Sequence, residues 1–319
     1  MIVCRDLAEY PHDHAVVLTL GTFDGVHLGH EKILERVLST ARTQALPSVL
    51  LTFDPHPREV IGRSGGPTYL LSTIEERIER IAALGIDTCV VLPFTRDVSM
   101  LDAATFFHDY CIGRLHARHI VVGVDHAFGK GRSGTVDELR RLGETHAVDV
   151  QVVGERLMDG VKVSSSAIRR ALGEGMPRQA AQFLGRPYSF TGVVVRGEGV
   201  GSTLGFPTAN IDVSHPGKLL PKHGVYVVDV HVLDESGVSA PHAGVMNIGI
   251  RPTVSEQMHL SLEVHILEFS GDLYGNRLRV DVLDRLRDEI RFDSREQLQA
   301  QIRSDIERAQ EWRARTLQR

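Results

Sequence analysis

Apolar positions along the chain follow two different rhythms. In the first, short apolar runs alternate with amphipathic stretches. Ala15–Leu20 (A-V-V-L-T-L) reads as a buried strand and leads into a helix from about Gly29 to Ala45. Ser48–Phe53, Thr88–Leu92, Ile120–Val124 and Val148–Val153 read as further strands, with helical segments at Ala103–Tyr110 and Val136–Leu142 between them. Ser72, with Glu75 three residues on, has the spacing of a capping box and predicts a helix start. Such alternation predicts a parallel sheet covered on both faces, with ligands at the carboxyl ends of its strands.

The rhythm then changes. A helix over Ser166–Leu172 passes through Met176-Pro177 to a shorter one ending at Leu184, and Gly185-Arg186-Pro187 reads as a hinge. Beyond it, Tyr188–Arg196, Gly224–Val232, Ala243–Ile248, Leu260–Phe269 and Arg277–Leu283 are strand-like runs without intervening helices. They predict a mostly antiparallel barrel or sandwich. A final helix begins at Ser294, and Leu298, Ile302, Ile306 and Ala309 recur on the face that should pack on that barrel. The expected division is residues 1–185 and 186–319, within a length that suits two domains.

Composition narrows the class. The 42% apolar and 24% charged content is that of a globular protein, and the net charge of −5 offers no general attraction to nucleic acid or an anionic membrane. No apolar stretch is long enough to span a bilayer, and the first residues carry no secretory core. Cys4, Cys89 and Cys111 have no paired spacing, which fits a reducing cytoplasm. No nucleic-acid or membrane partner is expected; self-association is left open.

Candidate chemistry begins after the first strand. Gly21-Thr22-Phe23-Asp24-Gly25 is followed by His27-Leu28-Gly29-His30 at the opening of the first helix. A helix start offers amides and the positive end of the macrodipole to a phosphate. Two imidazoles three residues apart can project together and neutralise charge on an α-phosphate during in-line displacement. A zinc pair or a helix-capping coincidence is the bland alternative, but zinc usually takes three or four protein ligands and no third is near in sequence. Far along, Ser164-Ser165-Ser166 precede a helix that carries Arg169. Consecutive hydroxyls there can cap the helix or bind phosphate oxygens, and Arg169 could clamp a β- or γ-phosphate.

G-T-F-D-G-V-H-L-G-H with a downstream S-S-S-A-I-R resembles the H-x-G-H nucleotidyl-transferase superfamily, whose fold is α/β and Rossmann-like. Within it, Thr52 to Arg58 (T-F-D-P-H-P-R) and Gly123 to Gly129 (G-V-D-H-A-F-G) resemble the FMN adenylyltransferase module of prokaryotic bifunctional riboflavin kinase/FAD synthetases. The resemblance implies that Phe53, His56, Pro57 and Arg58 border the flavin and Asp125 the nucleotide. For His56 the bland alternative is a turn residue held between two prolines. His126 stands where that family usually has an aromatic residue.

A second constellation lies in the antiparallel half. Gly197-Glu198-Gly199-Val200-Gly201 runs to Gly205-Phe206-Pro207-Thr208-Ala209-Asn210. Its glycines permit the close approach that a phosphate-covering loop needs, though no Walker motif follows. Thr208 and Asn210 share a face if extended, and both offer neutral oxygens acceptable to Mg²⁺. G-F-P-T-A-N resembles the riboflavin kinase signature, and Asn247 to Thr253, Leu262 to Ile266 and Asp272 to Gly275 continue the likeness. It implies that Glu263 is the general base for the riboflavin 5′-hydroxyl; by alternation alone Glu263 would be a barrel-surface residue. Arg287-Asp288-Glu289 resembles the family's flavin-side flap. Val200 and Ser202 stand where the family commonly has basic residues.

The resemblance implies an enzyme that converts riboflavin and ATP to FMN, then FMN and ATP to FAD and pyrophosphate, with Mg²⁺ offsetting phosphate charge. The alternatives are an adenylyltransferase with an inert flavin-binding barrel and a non-catalytic flavin sensor.

Overall fold

A computed structural model describes residues 1–62, 69–197, 199–213, 215–234, 237–252 and 258–317. Glu198 and Thr253 of the motifs above lie outside these residues, as do the side chains of Val200, Ile250, Arg251 and Pro252. The chain forms two compact units, Met1–Ser165 and Ser166–Arg319.

In the first unit, six strands run β1 (Ile2–Cys4), β2 (Val16–Leu20), β3 (Ser48–Asp54), β4 (Thr88–Pro93), β5 (Ala117–Gly123) and β6 (Asp149–Val153). They form one parallel sheet in the order β1-β4-β3-β2-β5-β6. The helices are α1 (Leu28–Gln44), α2 (Pro57–Ile61), α3 (Ile74–Ala83), α4 (Arg96–Met100), α5 (Ala103–Phe106) and α6 (Val136–His146); a π-helical turn, Phe107–Ile112, continues α5. Val16, Leu18 and Leu20 enter one core cluster and Val17 the other, so β2 is buried on both faces and reads as a continuous apolar run.

The chain passes from β2 to β3 on one side and later returns to place β5 on the other side of β2. The order therefore reverses at β2 and β5, and a crevice outside their carboxyl ends is where such sheets hold ligands. A short hairpin, β7 (Leu157–Met158) and β8 (Val161–Lys162), follows the sheet, and α7 (Ser165–Gly173) leaves the unit.

The start of α3 differs from the sequence expectation. Its cap is Thr73, paired with Glu76 in a full capping box, rather than Ser72 with Glu75. The Ser72 hydroxyl is engaged elsewhere: it accepts from the Gly25 amide and donates to Asp24. The edge strand β1, only three residues long, had no periodic signal to reveal it.

The second unit opens with the rest of α7 and α8 (Pro177–Leu184), followed by β9 (Tyr188–Val195) and α9 (Val200–Thr203). Then come β10 (Ala209–Val213), β11 (Gly224–Asp234), β12 (Gly237–Val238), β13 (His242–Pro252), β14 (Met258–Ile266), β15 (Arg277–Arg287) and α10 (Arg295–Leu317). Antiparallel pairing runs β11-β13-β14-β10-β9-β15 and closes as β15 returns to β11, while β12 extends β11. Along β9, Tyr188, Phe190, Gly192 and Val194 alternate inward.

On α10 Ala309 is buried, whereas Leu298, Ile302 and Ile306 are half-buried. The other buried member is charged. Asp305, 2% exposed, accepts a bidentate pair from Arg287 at 2.7–3.0 Å. Arg287 of the expected flap thus anchors the helix to β15.

Two candidate active sites

Glycine and a buried carboxylate shape the loop after β2. Phe23 (φ 48°), Gly25 (φ 84°) and Val26 (φ 37°) adopt left-handed backbone, which is strained for the β-branched Val26. Asp24, 1% exposed, holds this turn by accepting from the Leu71 and Ser72 amides at 2.9–3.1 Å. Ser165 donates to the Asp24 carbonyl at 2.9 Å. Asp24 and Ser165 therefore build the loop. Thr22 lends its carbonyl to the Thr52 hydroxyl at 3.1 Å.

His27 caps α1: its Nδ1 accepts from the His30 amide at 3.3 Å. The rings of His27 and His30 stack 3.7 Å apart at 14°, and Phe23 leans on His30 at 5.0 Å. A Cβ on Gly29 would sit 3.1 Å from the His27 ring and 3.3 Å from the Val163 carbonyl, which explains the glycine between the histidines. Burial, aided by His27 and Arg77, holds His30 well below its usual titration range. His30 is therefore neutral at pH 7, and its buried Nδ1 has no partner among the described residues.

The other predicted residues of this site are spread more widely. Phe53 turns into the core beside Phe94 at 5.4 Å. His56, also buried, caps α2 by accepting the Arg58 amide at 3.2 Å; Pro57 opens that helix and Arg58 is exposed. Asp125 is exposed after β5 and pairs with Lys162 of the hairpin. His126 stacks on Phe128 at 5.7 Å, and burial with nearby Arg132 brings its imidazole down to about 4. It behaves as a neutral ring in the place of an aromatic one. Ser164 belongs to this unit; exposed Ser166 and half-buried Arg169 lie on the part of α7 assigned to the second unit.

Sequence reasoning missed Arg77. It occupies the buried face of α3 with Ile74 and Ile81 and is 2% exposed. An i, i+3, i+7 stripe predicts that face, but the middle position reads as a solvated charge until the helix is packed.

The barrel brings Thr208, Asn210 and Glu263 together. Asn210 lies directly across from Glu263 in the β10–β14 register, and Asn247 flanks Glu263 from β13. The Thr208 hydroxyl donates to Glu263 Oε2 at 3.3 Å and the Ser261 hydroxyl to Oε1 at 3.1 Å. Two glycines make room. A Cβ on Gly197 would fall 2.2 Å from Asn210 Nδ2, and one on Gly201 2.5 Å from the Phe206 carbonyl. Gly199 and Gly205 supply left-handed turns at φ 69° and 82°. His265 Nδ1 bonds the Pro207 carbonyl at 2.8 Å, fixing the loop before Thr208. Asp288 of the expected flap is held by Arg285 and Lys222, which keep its carboxyl below the usual range, Arg285 foremost.

Two family profiles match in tandem: FAD synthetase over residues 9–167 and riboflavin kinase over residues 184–313. A bifunctional riboflavin kinase/FMN adenylyltransferase of Listeria monocytogenes is 37% identical over 289 residues, 91% of this chain and 90% of that protein. The chain belongs to this family. The Escherichia coli K12 protein of the same description is 36% identical over 308 residues, 97% of this chain and 96% of its own. Among solved structures, a macrolide-efflux protein from Streptococcus pneumoniae is 30% identical with a TM-score of 0.87, covering 98% of this chain and 99% of its own. Among the described residues, no helix is long and apolar enough to cross a membrane.

Proposed function

We infer that this chain makes both flavin cofactors from riboflavin. The second unit transfers the γ-phosphoryl group of ATP to the riboflavin 5′-hydroxyl, giving FMN and ADP. The first unit then lets an FMN phosphate oxygen displace pyrophosphate from the α-phosphorus of a second ATP, giving FAD. The observation that carries the reading is that one chain holds both halves: stacked His27 and His30 at the strand-order reversal, and Glu263 bonded to Thr208 in the barrel.

In the kinase, Glu263 takes the hydroxyl proton while Gly197, Gly199, Gly201 and Gly205 let the loop lie against the nucleotide. Thr208 and Asn210 offer the neutral oxygens that would hold Mg²⁺, with Glu263 beside them, so the donor set fits a hard cation that retains waters. Bound there, the ion would offset charge on the phosphates. In the adenylyltransferase, His27 and His30 stabilise charge on the α-phosphate at the positive end of α1. Gly21 to Gly25, Asp125, Ser164 and Ser165 frame the nucleotide, and His56, Pro57 and Arg58 the flavin, with Phe53 supporting that loop from the core.

The functional division is placed at 185/186, with α7 and α8 serving the first activity. The partners are ATP, riboflavin and FMN, with no nucleic acid or membrane, and the setting is cytoplasmic. Neither an inert barrel nor a flavin sensor gains support from the barrel, where Glu263, Thr208 and Asn210 converge. Chromatography of products from riboflavin, ATP and Mg²⁺ tests the reading. His30→Ala should stop FAD but not FMN formation, and Glu263→Ala should stop FMN formation while leaving adenylylation of added FMN. Either variant retaining its own reaction would show that residue's role to be wrong.

A further inference from the structure

The first unit buries a charge that neither reaction above uses. Arg77 projects from α3 into the unit and is 2% exposed. Its Nη1 donates to the Thr52 hydroxyl at 3.1 Å and to the Phe53 carbonyl at 3.2 Å. Thr52 in turn donates to the Thr22 carbonyl at 3.1 Å. These three hydrogen bonds link α3 to the carboxyl end of β3 and to the loop after β2, where the Gly21 amide also bonds the Leu51 carbonyl at 3.0 Å. One guanidinium thus reaches the base of both loops, Gly21–His30 and Phe53–Arg58.

Among the described residues, both hydrogen-bond acceptors of Arg77 are neutral oxygens, and its Nε is buried without a partner. The titratable groups around it are Asp24, Asp54, Cys89 and Glu59, and Asp24 spends its carboxylate on the Leu71 and Ser72 amides and the Ser72 hydroxyl. A cation buried without an ion-paired hydrogen bond is a poor device for stability, since an apolar replacement of similar volume is often neutral or stabilising. It is a good device for fixed positive potential at a site that receives polyphosphate.

We propose that Arg77 is a positioning residue for adenylyl transfer, holding both substrate loops through Thr52 and Phe53 and lending the site that contains His30 a permanent positive charge. This rests on the reading of the first unit as an adenylyltransferase. Buried, stacked on His27 and under the influence of that charge, His30 stays an uncharged imidazole able to hydrogen-bond phosphate. The charged or titratable groups acting on His30 are His27, at the start of its own helix, and Arg77, from α3.

The test compares Arg77→Met, Arg77→Lys and Thr52→Val in the full chain. Readouts are FMN adenylylation, riboflavin phosphorylation and the titration of the His30 ring followed by NMR. Arg77→Met should lower kcat for adenylylation about 10²-fold, the scale of a small misplacement of reacting groups. It should also move the His30 midpoint upward and leave the kinase unchanged. Arg77→Lys should restore the wild-type midpoint and part of the rate. Thr52→Val, which cuts the link to Thr22 but keeps the charge, should slow adenylylation without moving the midpoint.

An unmoved His30 midpoint in Arg77→Met would overturn the electrostatic role, and an undiminished rate in both Arg77→Met and Thr52→Val would overturn the positioning role. If Arg77→Met does not fold, Arg77→Gln takes its place: a raised His30 midpoint with slowed adenylylation in Thr52→Val supports the proposal, and an unmoved midpoint or an undiminished Thr52→Val rate sinks it. A wild-type chain that makes no FAD would instead refute the adenylyltransferase reading, while the His30 titration still decides whether Arg77 acts on that ring.

Discussion

Replacing His126 with phenylalanine should make the first unit less sensitive to acid. In the folded chain the imidazole is driven down to about 4, burial being the main cause and Arg132 the lesser one, and its Nε2 has no partner among the described residues. In the unfolded chain it titrates near the ordinary value of about 6.5. The unfolded state thus binds the extra proton first, and folding stability falls as pH drops through about 6.5, levelling off below about 4. At pH 7.5 the contribution is near zero; at pH 5 it amounts to a loss of about 2 kcal/mol, from a shift of about 2.5 units at 1.36 kcal/mol each when fully expressed. Phenylalanine keeps the stack on Phe128 and abolishes the titration.

The assay is urea unfolding at pH 7.5 and pH 5.0, followed by hydrogen exchange in β2 and β5. Trp312 is the chain's single tryptophan and bonds Asp284 in the second unit, so its fluorescence reports that unit as an internal control. His30 titrates alike in both proteins and drops out of the difference. His126→Phe should match wild type or slightly exceed it at pH 7.5 and gain about 2 kcal/mol over it at pH 5. An identical pH dependence in the two proteins would refute the reasoning. FAD formation should survive the substitution, since a neutral ring is what the fold uses there.

Other outcomes follow from single contacts. Gly197→Ala should abolish FMN formation while sparing adenylylation of supplied FMN, because its Cβ would fall 2.2 Å from Asn210 Nδ2; normal kinase turnover would contradict this. Thr73→Ala should lower the stability of the first unit by about 1 kcal/mol, the usual loss for a helix cap, whereas Ser72→Ala should leave α3 capped and instead loosen the Asp24 turn, visible as a raised KM for ATP in FAD synthesis. Asp305→Ala leaves the Arg287 charge unpaired, and urea unfolding read by Trp312 should show a loss of about 3–5 kcal/mol in the second unit.

Local pattern in the sequence determined a good deal. An apolar run such as V-V-L-T-L can hide both its faces only inside a covered sheet, so β2 and the parallel unit were legible from periodicity. The glycine-punctuated runs after Tyr188 predicted antiparallel strands, and the spacing of His27 and His30 at a helix start allowed the two side chains to project together; in the fold their rings stack at 3.7 Å. What depended on partners distant in sequence was decided by tertiary structure. Ser72 and Thr73 are equally good caps on paper; the choice fell to Thr73 because Asp24 and Gly25 claim the Ser72 hydroxyl. Glu263 reads as an ordinary half-buried strand residue until barrel closure brings β10 alongside β14 and sets Thr208 against its carboxylate. Arg77 reads as one charge among several on an amphipathic helix, and only the packing of α3 buries it against Thr52 and Phe53. Periodicity is a property of neighbours along the chain, whereas the partner of a buried polar group is set by strand order and register, which a stretch of sequence does not contain.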